Sequence, residues 1–419
     1  MFDADIGQTP EDFIVQEITK EGVVLEIGKY YSPEDLGISG SQGDFTTFVM
    51  EKKGWNTIQA LREIAKKLGR GKKSISFAGT KDRNTISVQL ASIYGKDPKD
   101  LANIHIKDIK INGAWKASAP IKMGMLLGNA FSINAYSKSD FTDKVEKIEE
   151  NLGGKFPNYF GLQRFGNRGN NVKIGISLLK GDFSNAALLF LTDISNERNP
   201  AAIEARTRLR NEMNFSKALD YFPRYLKYER RVLAYLAKYN NYANALRQIQ
   251  RQLLLMFIHS VESYLFNEEV KYCISVGAEN FVNAICSANA YGFPDLSTVK
   301  PIEKGINLLK NDTKHFEVIN IIGYDTNLND YEKSLLDKLG LSLENFKMKH
   351  MPELNCKGSH RVAFAPYKNF SFSIKNTQIN FKFSIPSGSY ATIFLSNFIN
   401  SLNNISLSNN AGITSVVDQ

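Results

Sequence analysis

The apolar and polar residues of this chain change rhythm twice. Asp12 to Ile18, Val23 to Ile27 and Phe45 to Met50 are short apolar-rich runs that read as strands. Ile58, Leu61, Ile64, Ala65 and Leu68 then recur at the spacing of one helix face, with Asn56 or Thr57 to cap its start and Gly69 to end it. Strand-like runs resume at Ser74 to Phe77, Ser87 to Tyr94, Ile106 to Ile111 and Ala130 to Ala135, and a helix is predicted from about Phe141 to Leu152. Asn158 to Asn171 is a polar, glycine-rich loop. Helical patterns dominate from there to about Ile274, and a mixed stretch with several glycines and prolines runs on to about Arg361.

Near the C-terminus the two-residue period returns. Phe370, Phe372 and Ile374 alternate, as do Ile379, Phe381, Phe383 and Ile385, and Asn376-Thr377 between them completes a predicted hairpin. Pro386-Ser387-Gly388 breaks the second strand, and Tyr390 to Ile399 reads as a helix. The Ser/Asn-rich tail after Asn403 is expected to fray. Two strands and one helix bury too little surface to fold alone, so they are expected to pack on the mixed α/β N-terminal region. The prediction is a discontinuous domain, residues 1–156 and 365–419, interrupted by an insertion over residues 157–364. No internal repeat is detectable.

A length of 419 residues favours two or three domains, and 43% hydrophobic with 23% charged residues is the composition of a soluble globular protein. No apolar run reaches membrane-spanning length, and Met1-Phe2-Asp3-Ala4-Asp5 has neither a basic nor an apolar leader pattern, so a cytoplasmic protein without membrane association is expected. Cys273, Cys286 and Cys356 are too few and too scattered for a disulfide framework or a paired CxxC site. His350, Cys356 and His360 are near one another in sequence but lack a matching second cluster, so no metal is expected.

The net charge of +9, with a pI near 9.1, favours a polyanionic partner, nucleic acid before membrane. Ala201 to Gln252 carries much of that excess, with 11 Lys/Arg against 4 Asp/Glu, and also holds Tyr221, Tyr225, Tyr228, Tyr235, Tyr239 and Tyr242. Cations among aromatics suit phosphate contact and base stacking. Leu226, Val232, Leu233 and Leu236 at helical spacing also fit a helix whose tyrosines pack inward.

Candidate chemistry concentrates in Phe77-Ala78-Gly79-Thr80-Lys81-Asp82-Arg83. A predicted strand ends there in a glycine turn that presents Asp82 between Lys81 and Arg83. Fixed cations favour the ionised form of a neighbouring carboxylate, which suits nucleophilic or general-base work. A Lys-Asp-Arg triplet by itself is more often a solvated loop.

Five separated stretches together resemble the TruD family of tRNA pseudouridine synthases. They are Pro10-Glu11-Asp12-Phe13-Ile14-Val15-Gln16-Glu17; Ala78-Gly79-Thr80-Lys81-Asp82-Arg83 with Gln89 after it; Gly128-Asn129-Ala130-Phe131; Asn158-Tyr159-Phe160-Gly161-Leu162-Gln163-Arg164-Phe165-Gly166; and Pro386-Ser387-Gly388-Ser389-Tyr390-Ala391-Thr392. They occur in the family's order. One position departs, since Gly7 stands where the family commonly carries a lysine.

The resemblance implies an α+β fold, in which a pseudouridine synthase catalytic domain with a mixed, largely antiparallel sheet is interrupted by a large helix-rich α/β insertion. The length of the insertion is similar to that of the archaeal and eukaryotic branch. The implied activity is isomerisation of a uridine to pseudouridine, in this family at position 13 of certain tRNAs, with Asp82 as the catalytic aspartate. The product is an isomer of the substrate, so no cofactor is expected. Phe131 is a candidate to stack on the flipped base, with an ordinary core phenylalanine as the competing reading. Asn129 can bond the uracil edge or orient Asp82. Gln163 and Arg164 are candidates for phosphate or loop contacts, and Lys81 and Arg83 for support of Asp82 or of the RNA backbone. The expected partner is tRNA, with no small-molecule cofactor, and the protein itself is expected to be a monomer. The alternative is a non-catalytic RNA-binding or RNA-chaperone protein on the same fold, which would bind tRNA without making pseudouridine.

Overall fold

The computed structural model describes residues 1–38, 42–137, 142–282, 284–302 and 314–402. The Ser/Asn-rich tail after Asn403 and the predicted helix start at Phe141 lie outside the described residues.

The N-terminal region contributes strands β1 (Asp5–Ile6), β2 (Phe13–Ile18), β3 (Phe45–Lys53), β4 (Ile75–Phe77), β5 (Ile86–Tyr94), β6 (Ile109–Ala117) and β7 (Gly128–Tyr136). Next come β8 (Lys155–Pro157), then β9 (Ala284–Ala288), β10 (Pro294–Pro301), β11 (His315–Ile321), β12 (Ser359–Val362) and β13 (Phe364–Pro366). The C-terminal hairpin is β14 (Lys368–Lys375) and β15 (Gln378–Pro386). It joins the N-terminal strands in one 9-stranded sheet, ordered β14-β15-β7-β2-β5-β3-β6, with β1 on β7 and β4 on β5. Among the described strands of this sheet, the β2–β5 pairing alone is parallel. The chain passes between this sheet and the helix-rich region through β8 and β13, which pair with each other.

Local signals account for several elements. The helix Thr57–Lys67 starts where the Asn56 side chain accepts from the main-chain N–H groups of Ile58 and Gln59, and it ends just before Gly69 at φ +66°. The hairpin turns at Asn376, a residue type that tolerates its φ of +57°. Elsewhere the structure departs from the expected elements. Val23 to Ile27 is not a strand; it meets β2 through one Ile18–Val24 bridge and lays Leu25 into the core. The strand expected at Ile106 to Ile111 lies later, at β6. The C-terminal helix spans only Ala391–Leu395.

Opposed residues in adjacent strands share a face, so register identifies the packing. On one face, Phe48, Met50, Ala91 and Ile93 meet Ala60, Leu61 and Ile64 of the Thr57–Lys67 helix. Further along that face, Val15, Phe131, Ile133, Phe381 and Phe383 pack with Phe394 and Phe398. Val49, Val88, Leu90 and Trp115 point to the opposite face, onto Leu25, Tyr31 and Leu36. The insertion has its own core around the long helix Arg251–Val276, and carries a 4-stranded sheet ordered β10-β9-β11-β12.

Candidate active site

Between the two apolar clusters that share a face, the sheet turns polar. Phe131, Val15, Ser87 and Lys52 are opposed across β7, β2, β5 and β3, and Asn129 opposes Glu17 in the row two residues along. Glu17, Lys52, Ser87 and Gln89 are all 0% exposed. Buried polar side chains are costly unless bonded, and most of these serve one structure, the loop from Gly79 to Asp82.

That loop is fixed at Gly79, Lys81 and Asp82. Gln89 Nε2 donates to the Gly79 carbonyl at 2.9 Å. The Lys81 main-chain N–H donates to Thr57 Oγ1 at 2.8 Å, and Thr57 Oγ1 lies 2.8 Å from Gln89 Oε1. The Lys81 ammonium turns inward to Glu17 at 3.0 Å, and the second Glu17 oxygen accepts from the Leu90 N–H at 3.1 Å. The Asp82 carbonyl accepts from Lys52 Nζ and from Thr85 Oγ1, each at 2.9 Å. The Asp82 side chain is left at the surface, where Gln163 Nε2 approaches Oδ2 at 3.3 Å.

The expected site residues thus divide. Gln163 comes to Asp82 from the 3₁₀ turn Leu162–Phe165, a closer association than a loop or phosphate contact. Lys81 supports the loop through Glu17. Arg83 is exposed and bonds the Gly54 carbonyl at 3.3 Å, beside a cleft of about 410 Å³ lined by Trp55, Gln59, Arg62 and Glu63. Asn129 lies in the polar gap, and its Oδ1 is buried without a hydrogen-bond partner. Ser87 Oγ is in the same condition. Phe131 is 9% exposed, stacked on Phe383 at 5.3 Å and edge-on to Phe13 at 6.1 Å, so its ring packs in the core in the same row as Ser87 and Lys52. Arg164 bonds Ser263 on the long insertion helix at 3.0 Å and lies 5.1 Å from the Phe160 ring centre.

Several residues that build this arrangement are not evident from sequence. Arg361 joins the Asn158–Gly166 and Pro386–Thr392 motifs: it donates to the carbonyl and side chain of Asn158 and to the Gly388 carbonyl, and lies over Phe160 at 4.2 Å. Burial pulls its guanidinium down to about 10. Lys52 escapes notice because it reads as the charged end of a strand. Yet the alternation Phe48, Met50, Lys52 puts it on the core face, and burial pulls its ammonium down to about 8 against the opposing attraction of Asp82. Glu17 follows Val15 on the same face in the same way.

Gly7 has a physical explanation. A Cβ there would collide with the Asp12 carboxyl, which accepts from Thr9, Asn134 and Tyr136. A side chain there would have to displace Asp12 from those bonds, and the cations near Asp82 include Lys52, Lys81 and Arg83.

The basic segment is also used differently from the expectation. Arg206 is buried against Glu229 and the carbonyls of Phe190 and Leu191. Arg210 and Arg230 bond carbonyls, and Arg247 and Arg251 bond Glu353. These cations hold helices together. Arg224, Lys227, Arg231 and Lys238 remain exposed, together with Tyr225 and Tyr239. Cys356 gathers with His259 and Glu262, not with His350 and His360. There the 2.7 Å contact between His259 and Glu262 is a hydrogen bond with no space for an ion between the two atoms. Among the described residues, no helix is long and apolar enough to cross a membrane.

Comparison with known proteins agrees with the motifs. The family model for tRNA pseudouridine synthase D (TruD) matches residues 2–398. A "Probable tRNA pseudouridine synthase D" of Thermococcus sibiricus is 32% identical over 92% of each chain. A "Probable tRNA pseudouridine synthase D 2" of Methanococcus maripaludis is 31% identical over 96% of each. A Methanosarcina mazei crystal structure identified as a putative tRNA pseudouridine synthase D superposes with a TM-score of 0.74 at 26% identity, covering 95% of this chain and 94% of that one. With a family match over nearly its full length, the same fold, and its motifs gathered about one loop, the chain belongs to the TruD family of tRNA pseudouridine synthases.

Proposed function

We propose that the chain isomerises a uridine of tRNA, at position 13, to pseudouridine, with Asp82 as the reacting carboxylate. One observation carries the reading: a surface carboxylate stands on a loop held from the sheet by Lys52 and Gln89 and from the flanking helix by Thr57. Pre-positioning of this kind removes the entropic cost of bringing a catalytic group to its target.

The target uridine leaves its stack, at a cost of roughly a few kcal/mol. Asp82 then either attacks C1′ or takes the C2′ proton, and in both routes the N1–C1′ bond breaks. The uracil turns and C5 bonds to C1′ as the Asp82 adduct breaks or the C2′ proton returns; C5 then loses its proton and N1 takes one up, so composition is conserved. Gln163 holds the carboxylate before RNA arrives and can pass its donor to the substrate. The orphaned Asn129 Oδ1 is an acceptor suited to the uracil N3–H. Phe131, packed on Phe383 and Phe13, supports the sheet beside Asn129 from within the core, and the domain boundary with the insertion is put at the paired strands β8 and β13.

The test is incubation of the purified chain with an unmodified tRNA transcript, followed by pseudouridine mapping. Pseudouridine at position 13 is expected. Binding without isomerisation would favour the chaperone reading, and modification elsewhere would reassign the substrate.

A further inference from the structure

Lys52 is a fully buried lysine in a place where apolar residues would be expected, on β3 in line with Phe48 and Met50. Its Nζ reaches the Asp82 carbonyl at 2.9 Å. An ammonium has three N–H donors, and this carbonyl is the acceptor they meet among the described residues. Keeping such a charge out of water is costly, and Met would fill the same volume without that cost. The other two cations near Asp82 are committed elsewhere, Lys81 to Glu17 and Arg83 to the Gly54 carbonyl.

We propose that Lys52 is a positioning residue for the reaction, holding the Asp82 main chain from beneath and keeping a positive charge behind its carboxylate. The inference rests on the reading of Asp82 as the reacting group. It separates two jobs that the loop could have combined. Lys81 shapes the turn through a closed ion pair, whereas Lys52 acts on Asp82 itself. The bond to the Asp82 carbonyl fixes the direction of the Cα–Cβ bond.

The charged groups around Lys52 are few. Asp82 and Lys81 approach from the loop, with Lys81 paired to Glu17 of β2, while β5 and β6 present the uncharged Ser87 and Ile109 opposite it. Burial and the Lys81 charge pull the Lys52 ammonium down to about 8, and Asp82 resists that pull. The protonated form is therefore lost within the accessible pH range. The sign for stability is opposite to the sign for rate. A lysine depressed in the folded state costs stability while charged, so this group's contribution to stability rises between pH about 8 and its ordinary value of 10.5. A fall in rate across that window is not unfolding.

The test is single-turnover pseudouridine formation against pH for the wild type, Lys52→Arg and Lys52→Met, with tRNA binding and a thermal melt measured for each. The wild-type rate is expected to fall through a limb near pH 8. Lys52→Met should lose on the order of 100-fold, comparable to deletion of one preorganised electrostatic donor, while still binding tRNA. Lys52→Arg, whose guanidinium stays charged, should keep more activity than the Met variant and lose the limb. A limb common to wild type and Lys52→Arg, or a Lys52→Met rate within tenfold of wild type, would overturn the inference. If either variant fails to melt cooperatively, the wild-type profile alone decides, by the presence or absence of the limb. No pseudouridine at any pH from the wild type would instead refute the proposed activity.

Discussion

Replacing Lys81 by Met isolates the ion pair that shapes the catalytic loop. Its side chain and that of Glu17 are 5% and 0% exposed, and the N–O distance is 3.0 Å. Met keeps the length and apolar stem but leaves Glu17 buried with a negative charge and one remaining donor, the Leu90 N–H. Removing one member of a buried pair costs about 3–5 kcal/mol, whereas replacing both is often close to neutral. Glu17→Gln should cost somewhat less, because its amide oxygen still accepts from Leu90. The double variant should recover most of the loss, giving a coupling of about 2 kcal/mol or more. Urea unfolding followed by tryptophan fluorescence suits the purpose, since Trp55 lies in the turn between β3 and the helix Thr57–Lys67 and Trp115 in β6. With a urea slope of about 1–3 kcal/mol/M, Lys81→Met should lower the midpoint by about 1 M or more. Additive losses in the double variant, or a single loss below about 1 kcal/mol, would show that the pair does not hold the loop.

Phe131→Ala should destabilise the fold by about 3–5 kcal/mol, because the ring packs against Phe383 and Phe13; an unchanged melting temperature would mean the ring is not part of the core. Lys227 and Arg231, both exposed on the helix Lys227–Tyr239, should contact tRNA phosphates; neutralising both should weaken binding regardless of sequence and flatten its salt dependence by roughly 0.7–0.9 for each phosphate no longer neutralised. An unchanged salt slope would assign them to a solvated face.

What can be read from sequence follows from what is local. The helix at Thr57–Lys67 and the hairpin around Asn376 announce themselves through caps and periodicity. Val23 to Ile27 has the pattern of a strand, but Gly22 at φ +85° and Gly28 at φ +73° turn the chain on either side of it. β6 is interrupted at Gly113, whose φ of +126° and close approach to the Tyr31 carbonyl accompany a register shift against β3. Asp82 is visible as a motif, and Glu17 and Gln89 fall within motifs without showing what they hold. Lys52 is not visible, because it is a polar residue following Phe48 and Met50 on the core face of β3. Alternation fixes the face of each residue, but only the strand order β7-β2-β5-β3 makes them neighbours. The basic segment misleads for a related reason. Arg206 and Arg230 look like surface charge until the carbonyls at the ends of neighbouring helices are placed beside them.

The central claim is that Asp82 performs the chemistry on a loop that stays in place without its charge. Asp82→Asn keeps the size and shape of the side chain, and leaves untouched the main-chain carbonyl held by Lys52 and Thr85. Single-turnover pseudouridine formation on a tRNA transcript, read together with a binding isotherm, tests the claim most directly. Isomerisation should fall below detection while tRNA affinity stays nearly unchanged. A residual rate within about tenfold of wild type, equivalent to about 1.4 kcal/mol of barrier, would contradict it.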